Sequence, residues 1–431
     1  MGDGIDPRRA VPRTDALLND PRLASAAQRL GRDLVKAATA AAQDAVRRGV
    51  IAPDEAADVA VASLPASSTS LRAVLNATGV VLHTNLGRAP LSPAAVEALH
   101  HASGYVDVEY DVATGERARR GRGALDALAV AVPDAQDVHV VNNGAAALLL
   151  AATVLATGRE ILVSRGELVE IGDGFRLPDL LESTGAHLRE VGTTNRTTLA
   201  DYRQAISPQT AFVLKVHPSN FVVSGFTSAA SIAELASLGI PVVVDIGSGL
   251  LGPDPLLPDE PNAADGLRAG ASLVTASCDK LLGGPQGGLL LGRTEIVAQL
   301  RRHPLARALR VDKLTLAALE ATLRGPVPPT HAYLNADAGT LRARATRIAD
   351  ELRGAGLPVD VVASDGVVGG GGAPGVRLPG WAIALPAGFG ASLRNGDPCI
   401  VTRVEHDRCL IDLRCVPEDR DPAIVKAVLT V

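Results

Sequence analysis

Aromatic side chains are scarce in this chain of 431 residues, because phenylalanine, tyrosine and tryptophan together make up only 2% of it. Hydrophobic residues nevertheless account for 47%, so the core must be built mainly from alanine, valine and leucine. A chain of this length is large enough for two or three domains with a sizeable core. The composition therefore permits any common enzyme fold and identifies none.

Cysteine is also rare, with four residues in the whole chain. None of them stands in a C-x-x-C pair, and only His406 lies near any of them in sequence, which is too little for a zinc pattern. The sequence therefore predicts no metal site and no disulfide framework. This cysteine usage fits a protein of the reducing cytoplasm.

Basic residues do not outnumber acidic ones, and the formal net charge is −5 at pH 7. An acidic chain has no general attraction for nucleic acid, so we expect no DNA partner, and any RNA site must be a local basic patch. The chain also lacks an uninterrupted apolar run of about 18 residues, and no apolar run follows the arginines near its start. We therefore expect neither a membrane span nor a signal peptide.

Apolar residues recur at helical spacing from Pro21 to about Val50, and strand-like runs alternate with helical runs from Asn76 to about Leu300. This alternation predicts an α/β domain with a mostly parallel sheet that helices cover on both faces. After Lys313 the pattern changes to helices followed by short strands, which is typical of an α+β domain. We predict an N-terminal helical domain, a large α/β domain and a small C-terminal α+β domain at 1–75, 76–312 and 313–431.

One lysine follows an apolar strand in an unusual setting, SCDKLLGGPQGG at residues 277–288. Lys280 stands at the turn where the strand ends, and the glycines after it let the backbone pass close to a flat or phosphorylated ligand. Burial at this place would lower the pKa of the ammonium group and free the amine as a nucleophile, as Schiff-base chemistry requires. Taken alone, the segment is equally compatible with a surface lysine in a glycine-rich loop.

Two further polar residues stand at strand ends, where α/β sheets bind their ligands. Asp245 ends an apolar strand and is placed to pair with a pyridinium nitrogen and keep it protonated. Ser277 precedes Lys280 by three residues, so its hydroxyl can reach the phosphate of the same ligand. Without the lysine, an ordinary helix cap would explain Asp245 better.

Backbone N–H groups at the start of a predicted helix offer an anion site, formed by Asn143, Gly144 and Ala145. An ordinary N-cap would produce the same pattern. His217 and Asn220 follow another apolar strand and add polar groups at the same edge of the sheet. In this order and spacing, the lysine, the aspartate and these groups fit pyridoxal phosphate better than any other cofactor.

Arginines form the remaining candidate sites. Arg307 and Arg310 are three residues apart, which places both guanidinium groups on one helix face, and with Arg88 they suit a phosphate-like anion. Solvated arginines would explain them equally well. The run Arg117–Arg122 is either an RNA patch or a solvated loop. A glycine run at 369–372 predicts a flexible turn.

Six segments of the chain resemble one known family, the bacterial selenocysteine synthases or L-seryl-tRNA(Sec) selenium transferases. The most specific motifs are TTNR at 193–196 and DKLLGGPQ at 279–286, in this order. The resemblance covers nearly the whole chain, and it is carried by Leu75–Leu91, Ser164–Gly172, Glu190–Arg196, Lys215–Thr227, Asp279–Gly288 and His303–Leu323.

The resemblance implies a fold-type-I pyridoxal-phosphate transferase in which Lys280 is the Schiff-base lysine. It also implies that Arg88, Arg307 and Arg310 bind the selenium donor, selenophosphate, although an arginine set does not distinguish this anion from thiosulfate. The family further implies an N-terminal domain that docks the tRNA, and a homodecamer built from five dimers.

The reaction that the resemblance implies converts L-seryl-tRNA(Sec) to L-selenocysteinyl-tRNA(Sec). Water is eliminated from the seryl group through an aminoacrylyl-tRNA intermediate, and selenium is then added. The alternative from the same fold class is a pyridoxal-phosphate ammonia-lyase that acts on a small amino acid or amino-sugar acid. A catalytically silent RNA-binding or scaffold protein is disfavoured by the presence of Lys280, Asp245 and Ser277 together.

Overall fold

The computed structural model describes residues 10–172 and 174–431. The chain divides into two compact units, the first ending at Ala73 and the second beginning at Val74. Residues 1–9 of the predicted N-terminal domain lie outside the described residues. Within the described ranges, no helix is both long enough and apolar enough to cross a membrane.

The first unit is helical, as predicted, but the helical stretch from Pro21 is interrupted. Gly31 has a φ of 94°, a left-handed value that glycine adopts easily, and it separates two helices. Leu23 and Val35 are fully buried in the small core between the helices. The helices are α1 (Thr14–Leu18), α2 (Pro21–Leu30), α3 (Arg32–Arg47) and α4 (Ala56–Ala62).

The second unit contains a seven-stranded sheet in the order β3-β11-β10-β9-β8-β4-β7. Only β11 runs antiparallel to its neighbours, and the other pairs in the sheet are parallel. The mostly parallel sheet is therefore confirmed. Its strands are β3 (Asp137–Val141), β4 (Glu160–Ser164), β7 (His187–Val191), β8 (Thr210–Val216), β9 (Val242–Gly247), β10 (Leu273–Ser277) and β11 (Gly288–Gly292).

Two apolar layers cover the faces of this sheet. Alternate residues of β9 serve them, because Val242 and Val244 belong to one buried cluster and Val243 belongs to the other. Both layers consist mainly of buried alanine, valine and leucine, and each contains one aromatic residue, Tyr202 in one and Phe212 in the other. The helices of this region are α5 (Pro93–Ala102), α6 (Arg122–Ala131), α7 (Gly144–Ala156), α8 (Leu177–Glu182), α9 (Leu199–Ala205), α10 (Ile232–Ala236), α11 (Ala263–Arg268), α12 (Thr294–Arg302), α13 (Pro304–Ala308) and α14 (Lys313–Arg324).

The C-terminal part of the second unit combines sheets and helices. Its five-stranded sheet has the order β1-β16-β17-β15-β12, so the strand at the very start of the unit pairs with one near the end of the chain. A three-stranded sheet has the order β14-β13-β2, and β5 and β6 form a separate hairpin. The strands are β1 (Val74–Ala77), β2 (Val80–Leu82), β5 (Glu170–Gly172), β6 (Phe175–Arg176), β12 (Asp360–Ala363), β13 (Gly366–Gly369), β14 (Arg377–Leu378), β15 (Trp381–Pro386), β16 (Cys399–Glu405) and β17 (Arg408–Asp412).

One helix anchors this part of the unit through a buried ion pair. Arg344 contacts the carboxylate of Asp421 at 2.6 Å, and both residues are less than a tenth exposed. The same guanidinium donates to the carbonyl oxygens of Leu413 and Val416, so the buried charge is fully hydrogen-bonded. The helices here are α15 (Pro329–Leu334), α16 (Ala338–Gly354), α17 (Phe389–Asn395) and α18 (Asp421–Thr430).

Candidate active site

Lys280 lies in the turn after β10, in the interior of the second unit, and is only 7% exposed. Burial lowers the pKa of its ammonium group, because the charged form loses its water. The negative charge of Asp245 opposes this shift, and the positive charge of Arg88 reinforces it. Taken together, these effects lower the pKa of Lys280 and favour the neutral amine, as expected for a nucleophilic lysine.

Asp245 stands in β9, beside the strand that leads to Lys280. Thr275, its partner in β10, donates a hydrogen bond of 2.8 Å from Oγ1 to Oδ1 of the carboxylate. Loss of water raises the pKa of Asp245, while this hydrogen bond and the charge of Lys280 lower it. Asp245 and Lys280 therefore lie close enough for their charges to interact.

The N-terminus of α7 forms a cradle with the end of β10. Asn143 caps the helix, because its side chain accepts a hydrogen bond of 2.8 Å from the N–H of Ala146. Gly144 lies directly against Ser277, since a Cβ atom placed on that glycine would be 2.6 Å from the serine Oγ. Ala145 follows in the first turn of the helix. The predicted phosphate-binding residues therefore lie together, and the glycine is required by the close approach of Ser277.

His217 and Asn220 occupy different environments. The ring of His217 lies 3.2 Å from the carboxylate of Glu260, and its backbone N–H donates to the carbonyl oxygen of Asp245 at 3.0 Å. Asn220 is exposed, and its side chain donates to the carbonyl oxygen of Glu170 at 3.0 Å. The structure therefore groups His217 with the strand ends and groups Asn220 with the β5–β6 hairpin.

Arg88 approaches the lysine from a loop near the start of the unit. Its backbone has a φ of 62°, which is unusual for a residue with a side chain. The guanidinium lies 2.9 Å from the carboxylate of Asp279, the residue before Lys280. Arg88 is thus part of the lysine's surroundings, and its predicted role in binding the donor stays a prediction.

The other two predicted arginines line a basic cavity of about 550 Å³ at the edge of the large sheet. Arg310 pairs with Val141 of β3 through an isolated backbone bridge, which places α13 beside the end of that strand. The lining includes seven arginines and a single acidic residue, Glu109, and it contains neither Lys280 nor Arg88. The structure therefore brings Arg307 and Arg310 together, in a place distinct from that of Arg88.

The arginine run Arg117–Arg122 has an ordered role in the same region. Arg117, Arg119 and Arg120 line the basic cavity. Glu109 holds Arg117 and Arg120 at 3.2 and 3.3 Å, and it also contacts Arg310 at 3.5 Å. The run is therefore connected to the predicted donor-binding arginines through one carboxylate and is more than a solvated loop.

Sequence reasoning missed two buried polar residues near the lysine. Ser248 is fully buried, and its hydroxyl has no hydrogen-bond partner among the described residues. Glu260 is 6% exposed and contacts His217. Ser248 was within reach of sequence analysis, because it follows Asp245 by three residues. Glu260 lies in an irregular segment with no motif.

These residues fit a phosphorylated pyridine ring. Asp245 offers a carboxylate for the ring nitrogen, the cradle of Gly144 and Ser277 offers a place for a phosphate, and Ser248 contributes a buried hydroxyl in need of a partner. Lys280 supplies an amine of lowered pKa. The arrangement agrees with the sequence-based assignment of pyridoxal phosphate as the cofactor that these groups suit.

The fold and the site define a class of protein, the fold-type-I pyridoxal-phosphate transferases, as the sequence predicted. A solved structure of D-glucosaminate-6-phosphate ammonia-lyase shares the fold with a TM-score of 0.58. That chain is 19% identical, and the match covers 84% of this chain and 95% of the other. At this level of identity the likeness concerns the fold alone.

The particular family follows from sequence comparison. A family model described as L-seryl-tRNA selenium transferase matches residues 74–417, and one described as selenocysteine synthase N terminal matches residues 8–47. The L-seryl-tRNA(Sec) selenium transferase of Carboxydothermus hydrogenoformans is 40% identical over 95% of both chains, and that of Geobacter metallireducens is 44% identical over 89% of both. The chain belongs to the L-seryl-tRNA selenium transferase family, and the predicted resemblance is confirmed.

Proposed function

We propose that this protein converts L-seryl-tRNA(Sec) to L-selenocysteinyl-tRNA(Sec), with pyridoxal phosphate as cofactor and selenophosphate as selenium donor. The observation that carries the proposal is the setting of Lys280 in a chain of this family. Its side chain is buried, its amine feels the charge of Asp245, and it follows by three residues the Ser277 that lies against Gly144. Such a set of groups has no purpose in a scaffold protein.

The residues that would hold the cofactor lie in β9, at the end of β10 and at the start of α7. Lys280 would bind its aldehyde carbon, Asp245 its ring nitrogen, and Ser277 with the N–H groups of Gly144 and Ala145 its phosphate. We propose that His217 lies against the pyridine ring of the cofactor, because it interacts electrostatically with Asp245. Pyridoxal phosphate, when bound, supplies an electron sink for the electrons that remain when the serine Cα loses its proton.

Lys280 is also the proposed base of the reaction. A lowered pKa keeps a larger fraction of the amine neutral near pH 7, and a neutral amine can take the proton from the serine Cα. Arg88 contributes to this state through its positive charge. The burial of the lysine limits competition from water for the same proton.

We assign the donor to the basic cavity around Arg307 and Arg310. Seven guanidinium groups line this cavity, and among the described residues only two carboxylates, those of Glu109 and Asp137, pair with any of them, so the excess of positive charge suits a phosphate-like anion. The benefit of such a site lies mainly in positioning the donor for attack on the serine Cβ. Arg88 lies outside this cavity, beside Asp279, and its proposed contact with the donor is supported by the family resemblance.

Several broader features remain proposals that the family supports. The domain at 1–75 would dock the tRNA, the domain at 76–312 would bind the cofactor, and residues 313–431 would form a small α+β domain. Exposed apolar side chains such as Phe226 offer surface for further copies of the chain, in keeping with a homodecamer of five dimers.

A cytoplasmic location agrees with four cysteines that are all free thiols. For Asn220 we retain the proposal of a cofactor contact, supported only by its place after β8.

The deciding experiment supplies the purified protein with pyridoxal phosphate, selenophosphate and three acceptors: seryl-tRNA(Sec), seryl-tRNA(Ser) and free serine. Selenocysteinyl-tRNA formed from seryl-tRNA(Sec) alone would establish the reaction and show that the protein reads the RNA body. Absence of product from all three, in protein that has bound its cofactor at Lys280, would contradict the proposal. It would favour a lyase that acts on a small molecule.

A further inference from the structure

The glycine run of the C-terminal part lies directly on Lys280. The predicted turn is present at Gly370 and Gly371, and Gly371, Gly372 and Ala373 are buried. Gly371 has a φ of 104°, and a Cβ atom placed on it would lie 2.6 Å from Cδ and Cε of Lys280 and 2.8 Å from its Nζ. The left-handed backbone favours glycine here, and any side chain at this position would displace the end of the lysine. We call residues 369–373 the glycine segment.

Both ends of the glycine segment are held by hydrogen bonds to other parts of the unit. At its start, the N–H of Gly370 donates to the carbonyl oxygen of Leu82 at 3.1 Å. At its end, the N–H of Ala373 donates to Oε2 of Glu260 at 2.7 Å. The first contact continues the pairing of β13 with β2. The second has no such support and depends on one side chain.

Glu260 is a buried carboxylate with an unusual distribution of contacts. Its Oε2 atom receives the N–H of Ala373 and lies 3.2 Å from Nε2 of His217, while its Oε1 atom is buried without a partner among the described residues. Burying a carboxylate costs free energy that a neutral side chain would not. We therefore attribute the buried position of Glu260 to the two contacts that its Oε2 atom makes.

The same carboxylate connects the glycine segment to the cofactor-binding strands. The backbone N–H of His217 donates to the carbonyl oxygen of Asp245 at 3.0 Å. A continuous series of contacts thus runs from Asp245 through His217 and Glu260 to Ala373, two residues after Gly371, which lies against Lys280. Glu260 is thus the shared partner of His217 and of the segment over the lysine.

We infer that Glu260 is a positioning residue, which latches the glycine segment over Lys280 and fixes the ring of His217 beside the Asp245 strand. The latch confines the side chain of Lys280 and keeps water from its amine. Opening of the Ala373 end gives a route by which the segment moves aside. This role rests on the proposed function, because that function makes the amine of Lys280 the working group.

Hydrogen exchange tests the latch on the apoprotein, without any turnover. In Glu260→Ala the amide of Ala373 loses its acceptor, and we expect peptides covering residues 369–376 to exchange roughly tenfold faster than in the wild type, the effect of losing one buried hydrogen bond. Glu260→Gln keeps an acceptor oxygen and should restore slow exchange. Asp259→Ala removes an exposed carboxylate next in sequence and should leave exchange unchanged.

Two activity measurements complement the exchange data. Glu260→Ala should lower kcat by about tenfold, with the KM for seryl-tRNA changed by less than about twofold, because positioning of the lysine acts on the chemical step. Gly371→Ala should also lose activity, since its Cβ meets the lysine. Gly356→Ala provides the matched control, because Gly356 has a φ of 88° and open space around its Cβ position.

The outcomes separate the latch from the proposed reaction. Faster exchange in Glu260→Ala supports the latch whichever reaction the protein catalyses. Unchanged exchange at residues 369–376 in a folded Glu260→Ala protein overturns it, even if selenocysteinyl-tRNA is formed normally by the wild type. If Glu260→Ala does not fold, the wild type decides, because fast exchange of the segment in the wild-type apoprotein also overturns the latch.

Discussion

The guanidinium of Arg88 lies 2.9 Å from the carboxylate of Asp279, although 191 residues separate them in sequence. The left-handed backbone of Arg88 makes this possible, and the N–H of Ala89 adds a hydrogen bond of 3.3 Å to the carbonyl oxygen of Asp279. The guanidinium of Arg88 is thereby held beside Asp279, the residue that precedes Lys280. Burial, Asp245, Arg88 and Asp279 together determine the state of the amine.

Replacement of Arg88 by methionine is therefore expected to raise the pKa of Lys280. Burial is the main cause of the lowered pKa, and the charge of Arg88 acts in the same direction. Without Arg88, burial alone acts against the charges of Asp245 and Asp279, which raise the pKa of Lys280. Attachment of pyridoxal phosphate to the apoprotein needs a neutral amine, so its pH dependence should shift to higher pH in Arg88→Met. Borohydride reduction at each pH and mass spectrometry of the Lys280 peptide measure it. A shift to lower pH would contradict the assignment, and Arg203→Met, at an exposed arginine, is the control.

Lys280→Ala is expected to remove both covalent attachment of pyridoxal phosphate and turnover. The loss of rate should be at least 10²- to 10⁴-fold, the range that a positioned general base contributes. Non-covalent binding should persist, because Ser277 and the cradle at Gly144 are untouched. Absorbance spectra after gel filtration and the seryl-tRNA(Sec) assay test this. Lys426→Ala, on the exposed side of α18, should behave as the wild type, and normal turnover by Lys280→Ala would refute the site.

Asp245→Asn is expected to stabilise the apoprotein at neutral pH while it destroys activity. The pKa of Asp245 is raised above its ordinary value of 3.8 mainly by loss of water. Folding therefore holds the proton more tightly than the unfolded chain does, so the wild type loses stability as the pH rises above 3.8. Asparagine keeps the hydrogen bond from Thr275 without the charge.

Thermal unfolding of the two apoproteins at pH 5 and pH 7 measures this effect. The Tm of Asp245→Asn should exceed that of the wild type at pH 7, and the difference should be smaller at pH 5. Asp259→Asn, at an exposed position, should show no such trend. A lower Tm of Asp245→Asn at pH 7 would mean that attraction to Lys280 outweighs the cost of removing the carboxylate from water.

The sequence was sufficient for the large sheet and for the residues at its strand ends. Strands β9 and β10 begin as apolar runs, Asp245 lies within β9, and Lys280 lies in the turn after β10, so local pattern and position in the fold agree. The strand β7 was missed, because His187–Val191 carries two charged residues at an edge of the sheet. The segment forms a strand because it pairs with β4, although its composition does not indicate a strand.

Contacts between distant segments were beyond the reach of sequence patterns. The glycine run at 369–372 has the composition of a mobile turn, and its burial is decided by Lys280 and Glu260, about 90 and 110 residues earlier. Glu260 and Glu109 stand in no motif, because a carboxylate acquires its role from whichever groups the fold brings to it. Arg307 and Arg310 were recognised as a pair, but their separation from Arg88 is a property of the folded chain.

The double variant Arg307→Ala with Arg310→Ala is expected to keep the cofactor and lose selenium transfer. Both arginines line the basic cavity, whose lining does not include Lys280, so cofactor attachment should be unchanged. Incorporation of radioactive selenium from selenophosphate into tRNA should fall by at least about tenfold at fixed donor concentration, since each charge-assisted hydrogen bond contributes roughly 1.5–3 kcal/mol. Undiminished transfer would show that the donor binds elsewhere. Arg203→Ala controls for loss of a surface charge.

Glu109→Gln is expected to improve binding of the donor. The carboxylate contacts Arg117, Arg120 and Arg310, and hydrogen bonding by Arg120 holds its pKa below the usual value, so it stays ionised at neutral pH and competes with an anion for Arg310. Glutamine preserves the shape without the charge. The KM for selenophosphate should fall by roughly fivefold, which corresponds to about 1 kcal/mol, while the KM for seryl-tRNA(Sec) stays the same. Glu116→Gln, on the exposed part of the same loop, is the control. A rise in the donor KM would instead show that Glu109 holds Arg310 in its binding position, because removal of a competing charge cannot weaken an anion site.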